Sequence, residues 1–256
     1  ITVVAGTSAT VGGTIGANGA LSVTSSGGAL IINGALTSTT STLGLTSSST
    51  LTTTAALAAT GASGAITLSA AGNTSLGAAV SALGALGVTT TGSGTLALTA
   101  ALSSTSGAVA LTSASTLTTS ATVSGDSVAM SAAGASTIGA AVTTDSGALT
   151  LTTTVGTTTV NADLTSSGGA LSVTFNGGDL TLAASVDLQS TGGALTLATS
   201  GSHDITAGQG GSIKSTNNAV TIPNRAMGIS RLSSGASTYH IYADTLLTLA
   251  AAVSLT

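Results

Sequence analysis

Chemically capable side chains are few in this chain, and their spacing is informative. His203 and Asp204 are adjacent in Ser202-His203-Asp204-Ile205. An imidazole beside a carboxylate is the raw material of acid–base and nucleophilic catalysis. Neighbours on a strand point to opposite faces, however, so this pair is not expected to act on one side. No G-x-S-x-G elbow leads into a helix, and no helix is expected at all. The reading is a surface histidine and no enzyme.

All seven acids are Asp. Asp163 and Asp187 stand 24 residues apart in matching contexts. On a stacked fold their carboxylates would repel unless solvated or bridged by a cation. Asn176-Gly177-Gly178-Asp179-Leu180 is similar to one unit of the calcium-binding nonapeptide but lacks its tandem copies. Calcium at Asp163, Asp187 or Asp179 is the one metal these residues suggest. Hydrated surface acids are the plainer reading, and no cofactor is expected.

The elements that must carry these residues are written in a repeat. Ten apolar–x–apolar pairs run from Leu21/Val23 through Leu43/Leu45, Ile66/Leu68, Leu86/Val88, Val109/Leu111, Val128/Met130, Leu149/Leu151, Leu171/Val173 and Leu195/Leu197 to Val220/Ile222. Their first members are 19 to 25 residues apart, about 22 on average. A two-residue side-chain period inside such a repeat predicts an all-β parallel solenoid of roughly ten or more coils. A second inward strand is expected about seven residues before each anchor, as at Val142, Leu164 and Leu188. A third follows some anchors, as at Leu30/Ile32 and Leu180/Leu182. Residues 1–222 form the regular solenoid in this reading, and 223–256 an irregular continuation with a longer loop.

Two residues ahead of seven anchors stand Gly19, Gly64, Gly84, Gly107, Gly147, Gly169 and Gly193. A corner needing positive φ before each strand is the expected cause. The interior is read as Leu, Val, Ile and Ala, because Phe175, Tyr239 and Tyr242 are the whole aromatic complement.

Only 4% of residues are charged, and the cations Lys214, Arg225 and Arg231 all fall in the last fifth of the chain. With no basic patch, nucleic-acid binding is excluded. No apolar run reaches the 18 residues of a membrane helix, and a membrane barrel would need aromatic girdles. Cysteine is absent, which removes disulfides and thiolate metal sites. A surface of Ser, Thr, Ala and Gly offers little repulsion against association. Strand-like alternation continues to both ends, so bare coil edges are expected either to pair with further copies or to continue into a longer precursor. Arg225, Arg231, Tyr239, His240 and Tyr242 break the compositional style and form a candidate interface.

Three residues after the anchors runs a hydroxyl column, Thr24, Thr46, Ser69, Thr89 and Thr112 among them. A flat hydroxyl lattice could bind ice, although the companion column is mixed.

Ser-Gly-Ala-Leu-Thr-Leu (146–151), Ser-Gly-Gly-Ala-Leu-Ser-Val (167–173) and Thr-Gly-Gly-Ala-Leu-Thr-Leu (191–197) resemble coils of filamentous-haemagglutinin-type exoproteins and autotransporter passengers. The resemblance covers about residues 19–222. It implies a right-handed parallel β-helix, export, and a bacterial extracellular or cell-surface address. The chain lacks the Asn-Pro-containing secretion-domain motif of that group, and no functional residue carries over. The expected function is a self-assembling subunit of a surface fibre, sheath or matrix. An adhesin shaft that binds carbohydrate or a cell surface is the alternative, and an ice-binding solenoid the third.

Overall fold

Alternating Leu, Val and Ile with Ser, Thr, Ala and Gly leaves each short segment one apolar face, which only stacking on its own repeat can bury. The structure, a computed structural model, describes residues 1–222 except 217, and beyond them the backbone strands Met227–Ile229, His240–Ala243, Leu247–Leu249 and Ser254–Leu255. The described residues contain strands, turns and no helix. They divide into two compact units, Ile1–Asp126 and Ser127–Thr256.

In unit 1 each coil contributes one strand to each of three parallel sheets. Sheet A takes Thr2–Ala5, Leu21–Ser25, Leu43–Ser47, Ile66–Ala70, Leu86–Thr90 and Val109–Ser113 in that order. Sheet B begins at Ala9–Val11 and ends at Leu117–Thr119, and sheet C runs from Ile15–Ala17 to Val123–Gly125. The anchors stack in register, Leu21 on Leu43, Leu43 on Ile66, Ile66 on Leu86 and Leu86 on Val109. Sheet A strands after the first are five residues long with alternating burial, whereas those of sheets B and C have three.

Unit 2 repeats the plan. Its sheet A holds Val128–Ala132, Leu149–Thr153, Leu171–Phe175, Leu195–Ala198, Val220–Ile222 and Leu247–Leu249. Sheet B starts at Ser136–Ile138, and sheet C at Val142–Thr144. The expected second strand is sheet C, where Val142 pairs with Leu164 and Leu164 with Leu188. The expected third is sheet B, where Leu180 pairs with Ile205. In the irregular stretch, His240–Ala243 pairs with Ser212–Ser215 and Leu247 with Val220. Each unit is thus a parallel β-solenoid of about 22 residues per coil, rising about 4.8 Å per coil.

Burial of each aliphatic anchor contributes about 1.5–3 kcal/mol, and nearly all are fully buried. The expected all-aliphatic interior needs a correction. Ser25, Ser47, Thr90, Ser113 and Thr153 are buried at the fifth position of sheet A strands, and Ser38, Ser104, Thr144, Ser166, Ser190 and Ser215 at the last position of sheet C strands. Most satisfy carbonyls at the corners. Ser47 Oγ, for example, shares its one hydrogen between Thr50 O at 2.8 Å and Gly28 O of the preceding coil at 3.0 Å. Ser190 Oγ bridges Gly193 O and Gly169 O in the same way at 2.6 and 2.9 Å.

The glycine column also has a different cause from the one expected. Among the described residues the positive-φ glycines are Gly92, Gly156 and Gly210, none of which belongs to the column of Gly19, Gly64, Gly84, Gly107, Gly147, Gly169 and Gly193. Close stacking on the preceding coil is the reason at Gly107, Gly169 and Gly193, whereas a Cβ on Gly19 would meet nothing within 4 Å and one on Gly84 nothing nearer than 3.4 Å. A Cβ on Gly107 would lie under 3.0 Å from the Gly84 backbone, and one on Gly169 under 3.0 Å from Gly147 and Ala148.

Candidate functional site

The polar side chains gather at the corners, where the chain leaves one sheet for the next. Ahead of sheet B in unit 1, Asn73 Oδ1 accepts the Thr95 N–H at 2.9 Å. At the equivalent corner of unit 2, Asp179 Oδ1 accepts the Asp204 N–H at 2.9 Å. Ahead of sheet C, Asp163 Oδ1 accepts the Asp187 N–H at 2.9 Å, and Asp187 Oδ1 accepts the Ser212 hydroxyl at 2.7 Å. Stacked carboxylates therefore do not simply repel, because each receives a donor from the coil above it. The three calcium candidates serve as caps, and among the described residues no group of three or more His or Asp could hold a metal.

His203 does not sit on a strand with Asp204, as expected, but in the corner before Ile205–Ala207. Its ring reaches back one coil. Nε2 lies 3.0 Å from Asn176 O, and Nδ1 lies 4.0 Å from Asp179 Oδ1. The histidine side chain is 26% exposed against 57% for Asp179. Asn176 Oδ1 accepts the Ser200 N–H at 2.9 Å, which ties the same corner a second time. Ring and carboxylate thus close a seam between coils. These contacts give the pair an evident packing role.

The outward columns form the second candidate surface. In unit 1, Thr24, Thr46, Ser69, Thr89 and Thr112 stack in register on sheet A. In unit 2, Thr137, Thr159, Thr181 and Thr206 stack on sheet B. Sheet C of unit 2 carries Thr143, Thr165, Gln189 and Lys214 outward in one column. Arg225, Arg231 and Tyr239 lie outside the described residues. Of His240 and Tyr242 the backbone is placed, in register with Ser212 and Lys214.

The inward hydroxyls are what the sequence reading missed. The signal was present in parity, since Ser25, Ser47 and Ser113 stand four residues after their anchors and so share the anchors' face.

Among the described residues, no helix is long and apolar enough to cross a membrane. No protein-family model, no curated protein and no solved structure matches this chain. The class that the fold defines is the parallel β-solenoid. That class is compatible with the β-helix exoproteins whose coils the sequence resembles.

Proposed function

We propose that the chain is an extracellular structural protein, a solenoid subunit that assembles with its own kind into a surface fibre, sheath or matrix. One observation carries this reading. From Ile1 to Gly125 there is no charged side chain, so the solvated faces of unit 1 are built from Ser, Thr, Ala and Gly with a few aliphatics. Soluble proteins ordinarily place about a quarter of their residues in charged types, and that charge holds like molecules apart. A face without it pays little electrostatic cost on meeting a copy of itself. The lack of cysteine and the resemblance to exported β-helices support the extracellular address.

Sedimentation and negative-stain electron microscopy of the purified chain at neutral pH test the proposal. Filaments or sheets with an axial reflection near ~4.8 Å are expected. Monodisperse single particles at all concentrations would overturn it.

A second reading, a shaft that binds carbohydrate, draws on sheet C of unit 2. Gln189 and Lys214 stand outward there on successive coils, with Asp163 and Asp187 at the adjoining corner. These are side chains suited to sugar hydroxyls. Retention on immobilised polysaccharide, lost in Gln189→Ala/Lys214→Ala, would favour it over self-assembly.

A further inference from the structure

We infer that sheet A of unit 1 is the face through which two copies of this chain pair, side by side and with their coils stacked in the same direction. The inference rests on the self-assembly reading and names its surface.

Sheet A differs from the other two sheets of unit 1 in strand length. Its five-residue strands present two outward positions per coil, the second and the fourth, where three-residue strands present one. The fourth positions, with Val4 of the shorter first strand in register ahead of them, form a continuous ridge of Val4, Thr24, Thr46, Ser69, Thr89 and Thr112. Val4 heads it with 67% exposure, the largest value among the exposed large hydrophobics. The second positions form a lower row beside the ridge, notched at Gly44 and Gly87. No atom lies within 4 Å of where a Cβ would stand at either glycine.

Ridge and notched row are self-complementary under one operation. A two-fold axis lying in the interface and running along the coil stack exchanges the two columns without changing the height of a row. Thr46 of one copy then faces Gly44 of the other, since both belong to the strand Leu43–Ser47. Thr89 faces Gly87 in the strand Leu86–Thr90 in the same way. At these two rows the methyl-bearing side chain falls where the partner has none, while at the others Thr24 faces Ser22, Ser69 faces Thr67 and Thr112 faces Ala110. A two-fold axis along the strands would set ridge against ridge and hold the sheets apart.

Six strands at about 4.8 Å and five residues at about 3.3 Å give a face of roughly 30 by 17 Å. The pair would cover about 1,000 Å² in total, at the lower bound for a specific interface. Pairing is therefore weak for one contact, and its strength in a fibre comes from repetition.

The double variant Gly44→Thr/Gly87→Thr fills both notches. Neither glycine has positive φ, and Thr suits a strand, so the variant is expected to melt at or above the wild-type temperature. Gly16→Thr is the control, an outward glycine of sheet C that also has open space around it. In sedimentation velocity the wild type and Gly16→Thr should associate alike, while the double variant loses at least tenfold in association constant. A double variant that pairs as the wild type does overturns the inference and leaves the self-assembly reading standing. A wild type that stays monomeric overturns both. If that monomer co-sediments with insoluble cellulose, and the double variant does not, the face belongs to a glycan instead.

Discussion

At the corner ahead of sheet B, unit 1 places Asn73 where unit 2 places Asp179, and both side chains accept the backbone N–H of the next coil at 2.9 Å. At the fifth position of sheet A, unit 1 places Ser25, Ser47, Ala70, Thr90 and Ser113, while unit 2 places Phe175 two coils after Ala132. One scaffold thus accepts two chemistries. Coil geometry is set by the inward aliphatics and by close backbone stacking at the corners. Charge and aromatic bulk are decoration that this geometry tolerates, and the chain concentrates them in unit 2. Asp126, at the very end of unit 1, is the sole charged side chain on the other side of the division.

The largest effect separating the units should come from Phe175, which is fully buried. Phe175→Ala is expected to cost about 3–5 kcal/mol in chemical denaturation, because the cavity cannot close against rigid coils. Hydrogen exchange should place the loss in unit 2. Protection lost equally from unit 1 would mean that the two units unfold as one.

Where the units agree, at the glycine corners, the expected effect is somewhat smaller and shared. Gly107→Val and Gly169→Val each push a side chain into backbone of the preceding coil. Each should lower stability by about 1–3 kcal/mol or more. Thr150→Val, on an outward position, should stay within about 0.5 kcal/mol. Equal melting shifts for Gly169→Val and Thr150→Val would refute the stacking argument.

The smallest effect tests the corner equivalence itself. Asp179→Asn keeps the acceptor that Asn73 supplies in unit 1 and should shift the melting free energy by less than about 0.5 kcal/mol, whereas Asp179→Ala removes it and should cost about 1 kcal/mol. If both substitutions cost the same, the carboxylate acts through its charge on His203 rather than through the cap.

The coil register was legible because burial selects one face and parity does the rest. Leu164 and Leu188 could be assigned to one sheet, and Leu30/Ile32 to another, from spacing alone. The inward hydroxyls were not, since a Ser or Thr in an alternating strand reads as outward until a partner carbonyl is seen beside it. The glycine column was legible as a column and not as a cause. Left-handed corners and close backbone approach select the same residue, and only the positions of neighbouring coils tell them apart. Asp163 and Asp187 could be seen to stack, but the donated N–H that reconciles their charges belongs to the backbone, on which sequence is silent.

The cross-coil bonds between side chain and backbone share a direction. Ser47 to Gly28 O, Ser190 to Gly169 O, Thr95 N–H to Asn73, Asp187 N–H to Asp163 and Asp204 N–H to Asp179 each place the donor on the later coil and the acceptor on the earlier one. The stack therefore has an arrow. The backbone ladder runs both ways, as in Leu21 N–H to Thr42 O and Ser48 N–H to Ser25 O, but in these side-chain bonds a closed coil holds out acceptors to its successor and gives donors to its predecessor. Any array grown by adding such coils inherits two unlike ends, one whose corner side chains receive and one whose corner groups give, and so a built-in sense of forward.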